Sequence, residues 1–78
     1  MSERLKNIIA TILEVPVERV TDDASTETLD NWDSVKQMDI MLGTEDEFKV
    51  QFKEEEIATL TSYRAIRDAL TARGMAVA

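Results

Sequence analysis

Ser34 is the side chain best placed for covalent chemistry in this chain of 78 residues. It stands where a polar stretch, residues 29–35 (LDNWDSV), runs into a predicted helix. Free backbone N–H groups and the positive end of the helix dipole favour a phosphate group at a helix N-terminus. A hydroxyl at this position can therefore accept a phosphodiester, or it can simply cap the helix, as serines at helix starts often do.

The composition argues against catalysis by the chain alone. Cysteine and histidine are both absent, which removes thiol nucleophiles, disulfides, the usual zinc ligands and the commonest general base. Lys36 is the amine nearest to Ser34 in the sequence, and residues two positions apart on a helix do not face each other. A hydrolase that used Ser34 would lack a base, so we expect no enzyme activity.

A calcium site in the acid-rich residues 22–33 can be tested against the EF-hand pattern. Ala24 occupies the third position, Glu27 stands where the loop needs a glycine, and Asp33 stands where it needs a bidentate glutamate. The stretch therefore has the length of an EF-hand loop without its ligands, and we predict no metal site.

Negative charge is concentrated in the middle of the chain. Residues 22–56 carry twelve acidic and three basic side chains, whereas the remaining residues carry four acidic and six basic side chains. The net charge of the whole chain is −7. Such a field repels nucleic acid and attracts basic protein surfaces, although acidic surfaces also serve solubility. There is no apolar run of about 18 residues and no signal-peptide pattern. We expect a cytoplasmic monomer with no nucleic acid partner and no stable membrane insertion.

The elements that must position Ser34 can be read from apolar spacing. Helix 1 is predicted over residues 3–15, with Ser2 as its N-cap. Its apolar stripe comprises Leu5, Ile8, Ile9, Ile12 and Leu13. Pro16 cannot continue the helix, so a long connection without regular structure is predicted over residues 16–33. Such a connection inside a small domain is unusual and often functional.

Helix 2 is predicted from Asp33 or Ser34 to about Phe48, and Gly43 in its middle weakens it by roughly 1 kcal/mol relative to alanine. Its apolar residues cover an arc of roughly 220°. They are Val35, Met38, Ile40, Met41, Leu42 and Phe48. This arc is wider than one core-facing stripe needs. The helix is either buried from two sides, or it packs on the core with one edge and offers the other to a ligand or partner.

Two further helices complete the predicted fold. A short helix 3 is predicted over residues 53–60, and helix 4 follows a cap at Thr61 or Ser62 and ends near Gly74. No alternating strand pattern is present, which predicts an all-α fold: a small four-helix bundle of three longer helices and one short helix, with a long loop between helices 1 and 2. The length suits one core, so we expect residues 1–78 to form a single domain.

Several short motifs, in the right order and at the right spacing, resemble the acyl carrier protein family. Residues 33–35 (DSV) are similar to its Asp-Ser-Leu attachment motif, and residues 45–48 (EDEF) to the acidic run that ends its second helix. Residues 52–57 (FKEEEI) and 60–66 (LTSYRAI) resemble the starts of its third and fourth helices, and residues 18–21 (ERVT) the end of its first loop. The resemblance covers essentially the whole chain.

The resemblance implies that Ser34 carries a covalent phosphopantetheine arm, donated by coenzyme A through a separate phosphopantetheinyl transferase, with Asp33 beside it. The arm supplies the thiol that the chain lacks, so acyl groups are bound to it as thioesters. Acyl-loading and acyl-transfer enzymes would dock through basic patches. The residues implied at the docking surface are Asp33, Val35, Lys36, Met38, Asp39, Glu45, Asp46 and Glu47. Those implied in a cleft for the acyl chain are Ile40, Met41, Leu42 and Ile57.

Departures from the family motif favour a specialised, free-standing carrier over a carrier of primary fatty acid synthesis. Asn31 and Trp32 stand where Gly-Ala is common, and Lys36 follows where an acid is usual. Gly43 and Thr44 replace an Ala-Leu pair and put a polar side chain at a core position. Trp32 can either anchor the loop on the bundle or expose its ring beside the arm.

Other functions and the cargo stay open on sequence alone. A primary fatty acid carrier fits the same motifs, and so does an unmodified acidic module that docks a basic helix or groove through helix 2. Fatty acyl, hydroxyacyl, polyketide and aminoacyl groups are all compatible, because the thioester chemistry belongs to the arm.

Overall fold

The computed structural model describes residues 4–75. They form four α-helices, namely α1 (Arg4–Leu13), α2 (Ser34–Phe48), α3 (Glu54–Thr59) and α4 (Tyr63–Ala72). The predicted all-α bundle is confirmed, with α3 as its short member. The predicted start of helix 1 and its cap Ser2 lie outside the described residues. At its other end α1 stops two residues before the predicted residue 15, because Glu14 has a φ of 57° and leaves the helical region.

The helices enclose one apolar core. Leu5 and Ile9 of α1 belong to this core together with Ile66 and Leu70 of α4, and all four side chains are 0% exposed. Burial of each such side chain contributes about 1.5–3 kcal/mol. None of the helices formed by residues 4–75 is long and apolar enough to cross a membrane.

The wide apolar arc of α2 divides into a buried side and an exposed side. The buried apolar residues are Ile40, Met41 and Phe48. The exposed ones are Val35, Met38 and Leu42, at 70%, 47% and 57%. Burial of α2 from two sides is therefore wrong, and the alternative, a helix that packs on the core with one edge, is confirmed.

Gly43 lets α1 and α2 pack closely together. A Cβ atom built on Gly43 would lie 3.3 Å from Ile12 Cδ1 and 3.3 Å from Ile8 Cγ2. These distances are tighter than ordinary van der Waals contact. Glycine therefore fits a position where α1 crosses close by, and α2 continues through it without a break. The packing offsets the conformational cost of about 1 kcal/mol that glycine brings to a helix interior.

The connection between α1 and α2 is more regular than the sequence predicts. It contains a 3₁₀ turn at Val17–Arg19, and Val20 and Leu29 are buried and anchor it to the core. Ser25 pairs with Ser62 in an isolated antiparallel bridge. The predicted long loop between the first two helices is confirmed. The 3₁₀ turn and the single bridge were not predicted, because apolar spacing carries no signal for a bridge to a residue far away in the sequence.

Thr44 of α2 places a hydroxyl in the core. The residue is 0% exposed, and its Oγ1 makes no hydrogen bond with any described residue. Because an unpartnered buried hydroxyl costs about 1–3 kcal/mol, we expect Thr44→Val to raise the free energy of unfolding by about 1 kcal/mol. Urea denaturation followed by circular dichroism measures this change. Thr71→Val, at an exposed position of α4, is the matched control, and a Thr44→Val protein less stable than the wild type would contradict the account.

An ion pair joins α3 to the end of α4. Arg73 Nη2 donates to Glu56 Oε1 at 3.0 Å and to Oε2 at 2.9 Å. The Arg73 guanidinium, helped by the Lys53 backbone N–H, holds the pKa of Glu56 below its ordinary value. Since the folded pKa is the lower one, this stabilisation is present above the ordinary value of 4.5 and is lost as the pH falls through the folded pKa.

We expect Arg73→Met to reduce the loss of stability between neutral and acid pH. Thermal melts of both proteins across this range measure the effect, with Arg19→Met as the control, because Arg19 forms no ion pair with another residue of the described part. If the wild type and Arg73→Met lose the same stability on acidification, the pair does not contribute to the pH dependence.

Candidate functional site

Asp33 caps α2, and Ser34 does not. Asp33 Oδ1 accepts a hydrogen bond from the Lys36 backbone N–H at 2.9 Å, and Asp33 has the extended backbone of an N-cap residue. Ser34 is the first residue of the helix and is exposed. Its hydroxyl bonds no other described residue. The interpretation of Ser34 as a plain helix cap is therefore wrong, and its hydroxyl remains accessible.

The start of α2 also offers free N–H groups beside that hydroxyl. The Lys36 backbone N–H donates to the Asp33 side chain, and the Gln37 backbone N–H donates to the Asp33 carbonyl at 2.8 Å. The N–H groups of Ser34 and Val35 bond no described residue, as is usual for the first turn of a helix. With the helix dipole, they favour a phosphate group on the Ser34 oxygen.

Trp32 is a buried anchor of the loop that precedes the site. It is 2% exposed, and its Nε1 donates to Gln37 Oε1 at 2.7 Å. The prediction that Trp32 anchors the loop is confirmed. The alternative prediction, an exposed ring beside the arm, is wrong. Asn31 also ties this loop down, since its Nδ2 donates to the Leu13 carbonyl at 3.0 Å.

Gln37 is the residue of the site that sequence reasoning missed. It is 8% exposed, and its Nε2 donates to the carbonyls of Ile57 at 2.9 Å and Leu60 at 2.7 Å. The only sequence signal was its spacing, which puts it on the same helix face as Met41 and Thr44.

A cavity of about 610 Å³ opens beside Ser34. It lies between the start of α2, the loop before it and α3. Trp32, Gln37, Met38 and Ile57 form part of its wall. Ser34 also lines this cavity, so a covalently attached group on Ser34 would lie beside it.

The predicted cleft residues are separated by the fold. Ile57 lines the cavity beside Ser34, whereas Ile40 and Met41 are 0% exposed in the core. Leu42 is 57% exposed on the outer side of α2 and does not fit a cleft. The sequence could not separate these positions, because the apolar arc of α2 runs from the core to the solvent.

The predicted docking acids also divide. Asp39 and Asp46 are exposed and form no ion pair with another described residue. With Val35, Met38 and Leu42 they make up what we call the outer face of α2. This face combines apolar side chains with carboxylates that remain available to a partner.

Two acids of the same helix are engaged within the protein. Glu45 Oε2 accepts from the Phe52 backbone N–H at 2.7 Å and holds the loop that follows α2. Glu47 pairs with Arg4 at 3.0 Å and joins α2 to α1. Lys36 is half-buried and is the nearest cation to Ser34 in the sequence. No three acidic side chains among residues 4–75 come together as a metal site.

Sequence comparisons complete this picture. The family described as the phosphopantetheine attachment site matches residues 3–70 of the chain. This chain belongs to the acyl carrier protein family. The polyketide-8 synthase acyl carrier protein 2 of Streptomyces avermitilis is 35% identical to this carrier over 72 residues, which cover 91% of the carrier and 82% of that relative.

Membership settles the class of function. The carrier is not an enzyme, and its prosthetic group is a covalently attached phosphopantetheine. It interacts with a phosphopantetheinyl transferase and with partner enzymes. The unmodified interaction module loses its support, because the family is defined by the attached group. The exposed hydroxyl of Ser34 and the free N–H groups beside it fit a phosphodiester.

Proposed function

We propose that Ser34 carries the phosphopantetheine arm and that the carrier holds acyl intermediates on it as thioesters. One observation supports this most directly. Asp33 supplies the helix cap, so the serine at the helix start is left with an accessible hydroxyl that no structural role explains. The arm then supplies the thiol to a chain that contains no cysteine.

The chemistry at Ser34 depends on the transferase. The Ser34 oxygen attacks the phosphorus that bears the pantetheine in coenzyme A, the pyrophosphate bond breaks, and adenosine 3′,5′-bisphosphate leaves with the electron pair. The Ser34 hydroxyl gives its proton to a base, which we assign to the transferase. The contribution of the carrier is positional, because its helix N-terminus favours the negative phosphate and its cap fixes the backbone at the reacting residue.

The outer face of α2 is the proposed docking surface for partner enzymes. Its carboxylates, Asp39 and Asp46, would attract basic patches, and Val35, Met38 and Leu42 would supply apolar contacts. Such a surface gives fast and weak encounters, which a shuttle between several enzymes requires. Asp33 and Lys36 lie at its edge, while Glu45 and Glu47 contribute mainly by holding α2 in place.

We further propose a role in specialised metabolism. The similarity to a polyketide synthase carrier and the unusual residues around Ser34 favour a polyketide or related acyl cargo over primary fatty acid synthesis. The carrier would act in the cytoplasm as a monomer, with residues 1–78 forming one domain.

Conversion of the purified chain to its modified form tests the attachment. Incubation with coenzyme A, Mg²⁺ and a broad-specificity phosphopantetheinyl transferase is expected to increase the intact mass by one phosphopantetheine group. A wild-type chain that stays unmodified, under conditions that convert another carrier, would contradict the proposal.

A further inference from the structure

Gln37 forms a bridge from α2 to the end of α3. Its Oε1 accepts from Trp32 Nε1 at 2.7 Å, and its Nε2 donates to the Ile57 and Leu60 carbonyls at 2.9 and 2.7 Å. Both N–H groups of the amide are therefore used. The two carbonyls lie at the C-terminal end of α3, where the last carbonyl groups of a helix have few helical partners. The Ile57 carbonyl also accepts from the Leu60 backbone N–H at 3.3 Å. One side chain thus joins the loop before α2, α2 itself and α3.

The bridge stands between the cavity and the core. Ser34, Gln37 and Met41 follow one another on the same face of α2, at i, i+3 and i+7. Ser34 and Gln37 line the cavity, whereas Met41 is 0% exposed. A chain that extended from Ser34 along this face into the core would have to displace the Gln37 amide.

Displacement of that amide is unfavourable for a simple reason. It would leave the Trp32 indole N–H and the Leu60 carbonyl without a partner, and each unpartnered buried group carries the full penalty of lost hydration. The Ile57 carbonyl would keep only the bond from the Leu60 backbone N–H at 3.3 Å. An aliphatic chain can offer none of them a hydrogen bond. Burial of methylene groups favours the entry of a long chain, and the loss of these hydrogen bonds opposes it.

We infer that Gln37 bars the passage between α2 and α3, so that the cargo of this carrier stays outside the core. This inference rests on the proposed attachment at Ser34. It assigns the carrier to short acyl groups, and it means that long aliphatic chains are not sequestered between the helices. Gln37 is a positioning residue in this scheme and takes no part in thioester chemistry.

Thermal melts of loaded carrier test the inference without any variant. Butyryl, octanoyl and dodecanoyl coenzyme A with a broad-specificity transferase give carriers that differ only in chain length. A chain buried in the folded state stabilises it. We expect the Tm of the dodecanoyl form to lie within about 2 °C of that of the butyryl form. A dodecanoyl form that melts higher by roughly 4–8 °C would overturn the inference.

Gln37→Met, which keeps the side-chain length and removes the amide, tests the residue itself. We expect the Tm of this variant to rise from the butyryl to the dodecanoyl form by roughly 4–8 °C, with a change in Trp32 fluorescence. Gln51→Met, at an exposed glutamine, is the matched control and should behave as the wild type. A folded Gln37→Met that shows no dependence on chain length would contradict the role of Gln37. Should this variant fail to fold, the wild-type melts still decide.

The two proposals fail in different ways. The intact mass and a fragment spectrum establish loading at Ser34 before any melt is recorded, and their failure contradicts the attachment and the inference built on it. In a carrier that is loaded at Ser34, a Tm that rises with chain length contradicts the barrier alone.

Discussion

Ser34→Ala is expected to abolish phosphopantetheine attachment completely and to leave the stability of the protein unchanged. The substitution removes the only atom that can form the phosphodiester at this position. It removes no hydrogen bond to another described residue, because Asp33 caps α2. Alanine is also a good helix former at an exposed first position. Intact-mass measurement after treatment with the transferase and a thermal melt of the apo protein check both parts.

Ser62→Ala is the matched control, because Ser62 is also a serine at a helix start. Its Oγ accepts from the Ala65 backbone N–H at 3.1 Å and caps α4. Loss of this cap should lower the free energy of unfolding by about 1 kcal/mol, while attachment should proceed as in the wild type. Comparison of the two serine variants therefore distinguishes a serine that is modified from a serine that caps a helix. Equal destabilisation of both variants, or attachment to Ser34→Ala, would contradict the assignment of these roles.

The double variant Asp39→Lys/Asp46→Lys is expected to lower kcat/KM of the transferase for the carrier by about tenfold at low ionic strength. Both carboxylates are exposed on the outer face of α2 and lack an ion pair within the described residues. Each exposed charge pair with a partner contributes about 0.2–1 kcal/mol, and reversal replaces attraction by repulsion at both positions. Steady-state kinetics with carrier as the varied substrate measure the loss.

Salt and a charge on another element provide the controls for this docking prediction. The loss should shrink as ionic strength rises, because the screening length falls from about 10 Å at 0.1 M to about 3 Å at 1 M salt. Glu18→Lys changes an exposed acid of the 3₁₀ turn and should have little effect. The outer face of α2 is not the docking surface if Glu18→Lys lowers kcat/KM by as much as each of the two aspartate reversals does. The same conclusion follows if added salt leaves the loss of kcat/KM in the double variant unchanged.

The helices were predictable because their signals are local. The buried edge of α1, the start and end of α2 and the role of Gly74 after α4 follow from apolar spacing, caps and turn residues. Ser34 could be found as a candidate for the same reason, since it lies at a junction between a loop and a helix. Gly43 was predicted to weaken α2, but its fit depends on the close approach of α1, which the sequence of α2 does not contain.

The residues that the sequence left undecided are those whose roles depend on distant partners. Asp33 and Ser34 are both good caps, and only the backbone geometry shows which one acts. Glu47 looks available to a partner until Arg4, which lies far away in the sequence, is seen to pair with it. Gln37 looks like a solvent-facing polar residue until the carbonyls at the end of α3 come within reach.

Fragmentation of the modified wild-type chain tests the central claim most directly. After complete conversion with coenzyme A and transferase, peptide fragments are sequenced by tandem mass spectrometry to locate the added phosphopantetheine. We predict that the whole of the added mass lies on Ser34. Modification of any other hydroxyl, such as that of Ser25, Thr26 or Ser62, would contradict the account.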